Sequence, residues 1–340
     1  MSSATSRRGF FRSFRSAAAG VIGAGTAATA RQSPAQAQIA GSLPYTADSL
    51  ARAGGGSSFV NPNKVLLWEN TRREFRELME SGKLKAAILP TGSVEQHNEH
   101  MAMVADVAIA TLVCQRAALE LYPQVIVAPP SPCGYAPYHM ARPGSMTLRK
   151  QTFQNYILEV MSCLKAHGIH TILALNGHGG NHGPMQEALP EWRKELGVNI
   201  DADSYWSGTP RSYTQKFMSA KMPTSHAGEF ETSIYMAAFP GRLRSFSMEE
   251  YDDAKLDYES GFSPETEEFL RRDRRTFKDG RINVKGENGK DRRRQEEAFL
   301  ARAKTGELIL TRATEFVVER LRKMIAATEA GQPWPAKNAG

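Results

Sequence analysis

Two kinds of hydrophobic pattern alternate along this chain. Short apolar runs bounded by Gly, Pro, Ser or Thr fall at 86–89 (AAIL), 124–128 (QVIVA) and 171–175 (TILAL), with a more polar fourth at 198–202. Each has the length and punctuation of a strand. Longer stretches between them carry apolar residues at helical spacing. The stretch 71–81 opens on Thr71 with Glu74 three residues on, which spells a capping box. In 106–121 the apolar face is Ile109, Leu112, Val113 and Leu119. Helices are also predicted over 152–167, 184–196 and 226–238, the last burying Phe230, Ile234 and Ala238. The segment 295–325 predicts one long amphipathic helix, or two broken near Gly306. Strands alternating with helices through short loops predict an α/β fold: three layers, with a mostly parallel sheet flanked by helices. One catalytic domain is expected over 64–330, with no internal repeat.

Composition changes this picture little. Of 340 residues, 41% are hydrophobic and 23% charged, enough for a large core. The formal charge of +7 is concentrated at the start, where residues 1–37 hold Arg7, Arg8, Arg12, Arg15 and Arg31 and no acid. Setting those five aside brings the 43 Lys and Arg close to the 36 Asp and Glu. The remainder gives no argument for nucleic acid or an anionic membrane as partner.

That first segment reads as an export signal. Ser6-Arg7-Arg8-Gly9-Phe10-Phe11 resembles the twin-arginine motif, an Ala/Gly stretch follows over 17–30, and Ala35-Gln36-Ala37 fits a cleavage site. The expectation is a precursor handled by the twin-arginine export machinery and a mature protein that is periplasmic or secreted. The Ala/Gly stretch falls far short of the ~20 strongly apolar residues of a membrane span, so no stable membrane insertion is expected. Residues 38–63, rich in Gly, Ser and Ala, read as a flexible lead-in, and 331–340 as a tail. Cys114, Cys133 and Cys163 have neither metal-like spacing nor the pattern of a disulfide framework.

The chemistry gathers at strand ends. After the first strand, Glu95, His97, Glu99, His100 and Asp106 fall within twelve residues. Carboxylates and imidazoles there are expensive to bury unless they bind something charged, which points to a divalent metal. Glu95 and His97, two apart on extended backbone, point the same way. After the third strand comes Asn176-Gly177-His178-Gly179-Gly180-Asn181. Its spacing fits neither the dinucleotide nor the P-loop pattern, so His178 reads as a ligand, with glycines that let backbone pass close to the site. The loop 131–145 holds Gly134, Tyr135, Tyr138, His139, Arg142 and Gly144, either as substrate contacts or as a plain connection. The stretch 242–294 is charge-dense. It reads as an anion-binding or partner surface or, favoured by its interspersed acids, as a solvated excursion.

Three separated motifs, LPTGSVEQH with an Asp nine residues after its His, LNGHGGN at 175–181 and HAGEFETS at 226–233, resemble the creatininase family of metal-dependent amidohydrolases. The resemblance runs over roughly 65–327. It implies two divalent ions per chain (Zn, Mn or Fe), Asp106 bridging them, Glu95 and His178 on one and His97 on the other. Creatininase has a Glu two residues after the His of the third strand, where this chain has Gly180. The second ion would then draw on Glu231 or Glu229, and Glu231 matches the Glu of the family's E-T-S. The implied reaction is hydrolysis of a C–N bond in a small cyclic or linear amide by a metal-activated hydroxide. His226, expected at the start of its helix, would protonate the leaving nitrogen, with Glu231 beside it. Trp206, Tyr205 and Gly179 are the expected substrate contacts. A homo-oligomer, a hexamer in the family, is also implied.

Departures qualify the substrate. Asn98-Glu99 replaces the family's Gly-Pro, and Glu99 near the site would disfavour anionic substrates. Met222 stands where creatininase has a Trp. Other functions to separate are an exported metal-containing small-molecule binding protein without turnover and a small-peptide metallopeptidase. The HNEH stretch lacks the spacing of the H-E-x-x-H zinc-protease helix.

Overall fold

The computed structural model describes residues 61–142, 144–220, 226–245, 247–248, 265, 268 and 293–335. The expected export signal, nearly all the lead-in, Met222, most of the charged stretch and the last five residues of the tail lie outside the described residues. Four strands, β1 (Ala86–Thr91), β2 (Val125–Val127), β3 (Thr171–Asn176) and β4 (Asn199–Ser204), form one sheet in the order β2-β1-β3-β4. Every pairing is parallel, with Ile88 opposite Val127 and Leu173, and Asn176 opposite Ser204. The main helices are α1 (Arg72–Glu80), α2 (Ala105–Glu120), α3 (Lys150–Ala166), α4 (Gly179–Leu196), α5 (Glu229–Ala238) and α6 (Ala303–Glu329).

Strand alternation divides the core in two. Ala86, Ile88, Leu173 and Leu175 face the layer of α2, α5 and α6, where Ile109, Ile234, Ile309 and Leu321 are buried. Ala87, Leu89, Ile172, Ala174 and Ile200 face α3 and α4, against Phe153, Ile157, Met185 and Trp192. The predicted three-layer α/β architecture is therefore the observed one. The capping box also forms, with the Thr71 amide donating to Glu74 Oε2 at 2.7 Å and the Glu74 amide to Thr71 Oγ1 at 3.3 Å.

Three boundaries differ from the sequence reading. α4 starts at Gly179, five residues before Pro184. Two glycines argue against a helix by propensity, but tertiary contacts override them. The Asn176 side chain accepts from the His178 amide at 2.9 Å and donates to the His178 carbonyl at 2.7 Å, fixing the strand-to-helix turn. α5 starts at Glu229, so His226 lies in the turn before the helix. The helix expected over 295–325 starts at Ala303 instead, behind a separate helical turn at 293–298, and as α6 it runs through Gly306, the single-helix alternative of the sequence reading. A Cβ there would stand 2.8 Å from the Ile234 amide nitrogen and nearer still to the Ser233 carbonyl. Gly306 thus lets α6 cross α5 at backbone contact.

The connection after β1 leaves to one face of the sheet and that after β3 to the other. Neighbouring strands whose helices diverge open a crevice at their carboxyl ends, where α/β sheets bind ligands. No helix among the described residues is long and apolar enough to cross a membrane.

Candidate metal centre

Into that crevice the loop after β1 delivers Glu95 and His97, the start of α2 delivers Asp106, the turn after β3 delivers His178, and the turn and first residues of α5 deliver His226 and Glu231. All are buried or nearly so. Asp106 sits between two imidazoles, with Oδ1 3.1 Å from His97 Nε2 and Oδ2 3.2 Å from His178 Nδ1. Glu95 Oε2 lies 2.9 Å from His178 Nδ1, and its Oε1 lies 3.3 Å from His226 Nδ1 and 3.3 Å from His139 Nε2. Glu231 Oε2 lies 3.7 Å from His97 Nε2 and 4.0 Å from His226 Nδ1, and accepts from the Ala227 amide at 2.6 Å.

Three histidines share one habit. His97 Nδ1 lies 3.1 Å from the Glu95 carbonyl, His178 Nε2 lies 3.2 Å from the Tyr135 carbonyl, and His226 Nε2 lies 2.6 Å from the Gln96 carbonyl. A ring N–H donated to a carbonyl leaves the other nitrogen as a lone pair. In all three that other nitrogen faces carboxylate oxygens. A lone pair at ~3 Å from a carboxylate is repulsive unless a proton or a metal ion lies between them, and histidine ligands of metals are oriented in this way.

The carboxylates agree. Both Glu95 oxygens and Asp106 Oδ2 are buried and accept no hydrogen bond. Ligands held ~2.0–2.2 Å from one ion stand about 3 Å apart, as these do. Three groups have ligand atoms within 4.8 Å of one another: Glu95–His97–Asp106, His97–His226–Glu231 and Glu95–His139–His226. The described residues therefore fit a divalent metal.

Charge tells the same story. Burial pushes the Glu95 carboxyl up and raises that of Glu231 to about 7. Burial opposes charge on His97, but Asp106, Glu231 and Glu95 outweigh it and hold the imidazolium to about 10. Burial, with the neighbouring positive groups, drives His226 and His139 well below the ordinary histidine value. The pocket is short of positive charge at its carboxylates.

A cavity of 540 Å³ opens above this cluster. Glu95, Asp106, His178, Glu231 and His226 form its floor, and Gly179, Trp206 and Phe230 belong to its wall. Tyr205 does not line it: the ring is 1% exposed, with its centroid 5.1 Å from Trp206 and 6.5 Å from Phe230, and so backs the wall instead. Glu99 is exposed and outside the lining, so its expected influence on substrate charge has no geometric basis. Glu229 turns away and accepts from the amides of Ser219 and Ala220. At Gly180 a Cβ would meet the Tyr135 carbonyl and the Tyr138 hydroxyl, so the loop 131–145 fills the space a Glu would need.

Sequence reasoning gives Gln96 no role, and leaves His139 among the possible substrate contacts of the loop 131–145 and Arg294 among the charges of 242–294. His139 sits in the short helical turn Pro137–Ala141, its Nδ1 3.3 Å from Gln96 Nε2. Gln96 Nε2 also lies 3.1 Å from His226 Nε2, so one amide spans both histidines. Arg294 joins the cavity wall from the end of the charged stretch.

Comparison with known proteins adds the following. A family model described as creatininase, creatinine amidohydrolase, matches residues 68–321. Creatinine amidohydrolase of Pseudomonas putida is 28% identical over 193 residues, 52% of this chain and 72% of that protein. A 3-dehydro-scyllo-inosose hydrolase of Thermotoga maritima is 28% identical over 184 residues, 53% of this chain and 58% of that one. A mycofactocin precursor peptide peptidase of Mycobacterium ulcerans is 26% identical over 160 residues, 45% and 58% of the two chains. The match thus spans less than two thirds of the last two relatives. In fold, a crystal structure of creatinine amidohydrolase superposes with a TM-score of 0.57 at 21% identity, covering 78% of this chain and 97% of that one. A structure titled creatininase Mn gives 0.57 at 21% identity, over 77% and 98%. With the motifs, the crevice and the family match in agreement, the chain belongs to the creatininase family and is a hydrolase acting on C–N bonds.

Proposed function

We propose that this hydrolase cleaves small cyclic or linear amides with two divalent ions held between the ends of β1 and β3. The observation that carries the reading is the orientation of His97 and His178. Each turns one nitrogen to a backbone carbonyl and the other to carboxylates, among which both Glu95 oxygens and Asp106 Oδ2 are buried without a hydrogen-bond partner. Glu95, Asp106 and His178 would hold one ion, and His97, Asp106 and Glu231 the other, with Asp106 offering one oxygen to each side. Zinc, manganese and iron all suit this mixture of imidazole and carboxylate. When bound, such ions turn water into a nucleophile near neutral pH and polarise a carbonyl.

The chain's own residues do the rest. His226 Nε2 is committed to the Gln96 carbonyl, so Nδ1 is the atom that can carry a proton to the leaving nitrogen. Burial and the cationic neighbours keep that imidazole neutral at rest. Glu231 fixes the turn that carries His226 through the Ala227 amide. Trp206, with Tyr205 packed behind it, and the backbone at Gly179 form the wall on which a small substrate would lie.

The residue pattern of the first segment supports export through the twin-arginine pathway to the periplasm or beyond. The family resemblance supports a homo-oligomer, with a hexamer as the expected form. A small-peptide metallopeptidase is the same chemistry on a peptide bond and is favoured by the peptidase among the relatives. The test is hydrolysis of a panel of cyclic amides, linear amides and short peptides by the protein loaded in turn with zinc, manganese and iron. Turnover of any of them supports the proposal. Tight binding with no turnover by any metal form would replace it with a metal-containing binding protein.

A further inference from the structure

The last two residues of β4 each hold one polar residue of the cavity wall. Ser204 Oγ lies 3.1 Å from Nδ1 of His182 on α4, and Asp203 Oδ1 accepts from the Ser207 hydroxyl at 2.6 Å. His182 and Ser207 both line the cavity, and both stand outside the proposed ligand set. Asp203 is held at both oxygens: Oδ1 also accepts from the Ser204 amide at 2.7 Å, and Oδ2 pairs with Nη1 of Arg320 on α6 at 2.7 Å. The turn Tyr205–Gly208, which carries Trp206 and Ser207, is seated on α6. A Cβ at Gly208 would stand 2.7 Å from Phe316 Cγ and nearer still to its Cβ.

These bonds fix which wall atom donates and which accepts. Asn176 Oδ1 accepts from the His178 amide, so its Nδ2 is the atom that donates to Ser204 Oγ at 3.1 Å. Ser204 is fully buried, and among the described residues His182 Nδ1 is the acceptor left for its hydroxyl hydrogen. An imidazole that accepts at Nδ1 carries its proton on Nε2. His182 therefore offers the cavity an N–H donor, and that nitrogen has no partner among the described residues. Ser207 is the opposite case. Its hydrogen is spent on a carboxylate, which only accepts, so its oxygen offers lone pairs alone. Trp206, the residue before it, gives the wall a flat apolar face. A fixed donor and a fixed acceptor beside an aromatic face match a planar group that has both a C=O and an N–H.

We propose that His182 and Ser207 are specificity-determining residues that bind a second amide or ureide group of the substrate, His182 donating to its carbonyl and Ser207 accepting from its N–H, while the scissile amide lies at the metal centre. The inference rests on the amide hydrolase reading and narrows its substrates to cyclic ureides, cyclic diamides and short peptides. Water oxygen joins the scissile carbonyl carbon, the C–N bond breaks, the nitrogen takes a proton, and the second group is left unchanged.

The test is binding of uracil and of 1,3-dimethyluracil to the metal-loaded protein by titration calorimetry. Both are flat rings that carry the same carbonyls and resist hydrolytic opening, and only uracil has N–H groups. Wild type should bind uracil at least about tenfold more tightly, within the range of one or two hydrogen bonds. Ser207→Ala should bring that ratio toward one by weakening uracil alone. His182→Ala should weaken both ligands and keep the ratio, and His182→Gln, whose amide still donates, should recover part of the loss. Metal content should be unchanged in all of these variants. Equal affinities in wild type would overturn the inference. So would a ratio that survives Ser207→Ala, because ligand size rather than the N–H would then be read. Unchanged uracil affinity in His182→Ala, or loss of an ion from any variant, would overturn it as well. If binding behaves as expected but neither 5,6-dihydrouracil nor any amide or peptide of the panel is cleaved, the wall site stands and the amide hydrolase reading fails.

Discussion

Gly306→Ala sets two effects of opposite sign against each other. Alanine in a helix interior is favoured over glycine by about 1 kcal/mol. At this position, however, the new Cβ would stand 2.8 Å from the Ile234 amide nitrogen and closer to the Ser233 carbonyl, both of them backbone atoms that cannot rotate away. Relief requires α6 to move off α5, and overpacking of this kind costs about 1–3 kcal/mol, occasionally more. The collision lies against rigid backbone, so the upper part of that range applies and the net effect is destabilisation of about 1–2 kcal/mol. In a domain of this size that lowers Tm by about 2–8 °C. Ser233 follows Glu231 by two residues, so the same shift should weaken binding of one metal ion. Gly183→Ala is the control: it lies in α4 with nothing within 4 Å of its Cβ position and should hold or raise Tm. Thermal unfolding of the three proteins and metal titration of each decide the matter. A Tm for Gly306→Ala equal to or above wild type would refute the close crossing.

The remaining predictions concern the cap and the site. Hydrogen bonds from the Thr71 backbone and the neighbouring Lys64 hold the Glu74 carboxyl at about 2, below its unfolded value, so the stability it contributes is present above about pH 4.5 and lost as pH falls toward 2. The Tm difference between wild type and Glu74→Gln should therefore shrink over that window, and a difference that grows on acidification would contradict the capping box. His226→Ala should keep both metal ions while losing turnover by about a hundredfold or more, measured by metal analysis and steady-state kinetics. Loss of an ion instead would make His226 Nδ1 a ligand, an alternative its geometry allows.

The sequence reading and the structure meet where chemistry and periodicity coincide. The runs AAIL and TILAL are buried along their whole length, and an apolar run ended by Gly or Pro has few other uses. Glu95, His97, Asp106, His178, His226 and Glu231 converge because their motifs sit at the carboxyl ends of adjacent parallel strands or against them. The parts that escaped depend on direction, which pattern does not encode. His139 looked like any histidine in a Gly- and Tyr-rich loop, and only the turn at Pro137–Ala141 brings its ring over Glu95. Arg294 was one of a run of arginines, and nothing in the run says which of them turns inward. Gln96 lies between two ligand candidates and gave no signal, yet its amide spans His139 and His226. Gly306 left one helix or two open because propensity speaks only of one helix, whereas the close approach belongs to two.

The direct test of the central claim is metal content per chain, by elemental analysis, for the purified protein and for Asp106→Ala. Asp106 turns Oδ1 to His97 and Oδ2 to His178, so it should serve both ions at once. The account predicts two divalent ions per chain in the wild type, both lost in Asp106→Ala together with C–N hydrolysis. A wild-type protein that binds no divalent metal, or an Asp106→Ala variant that keeps both ions, would contradict it.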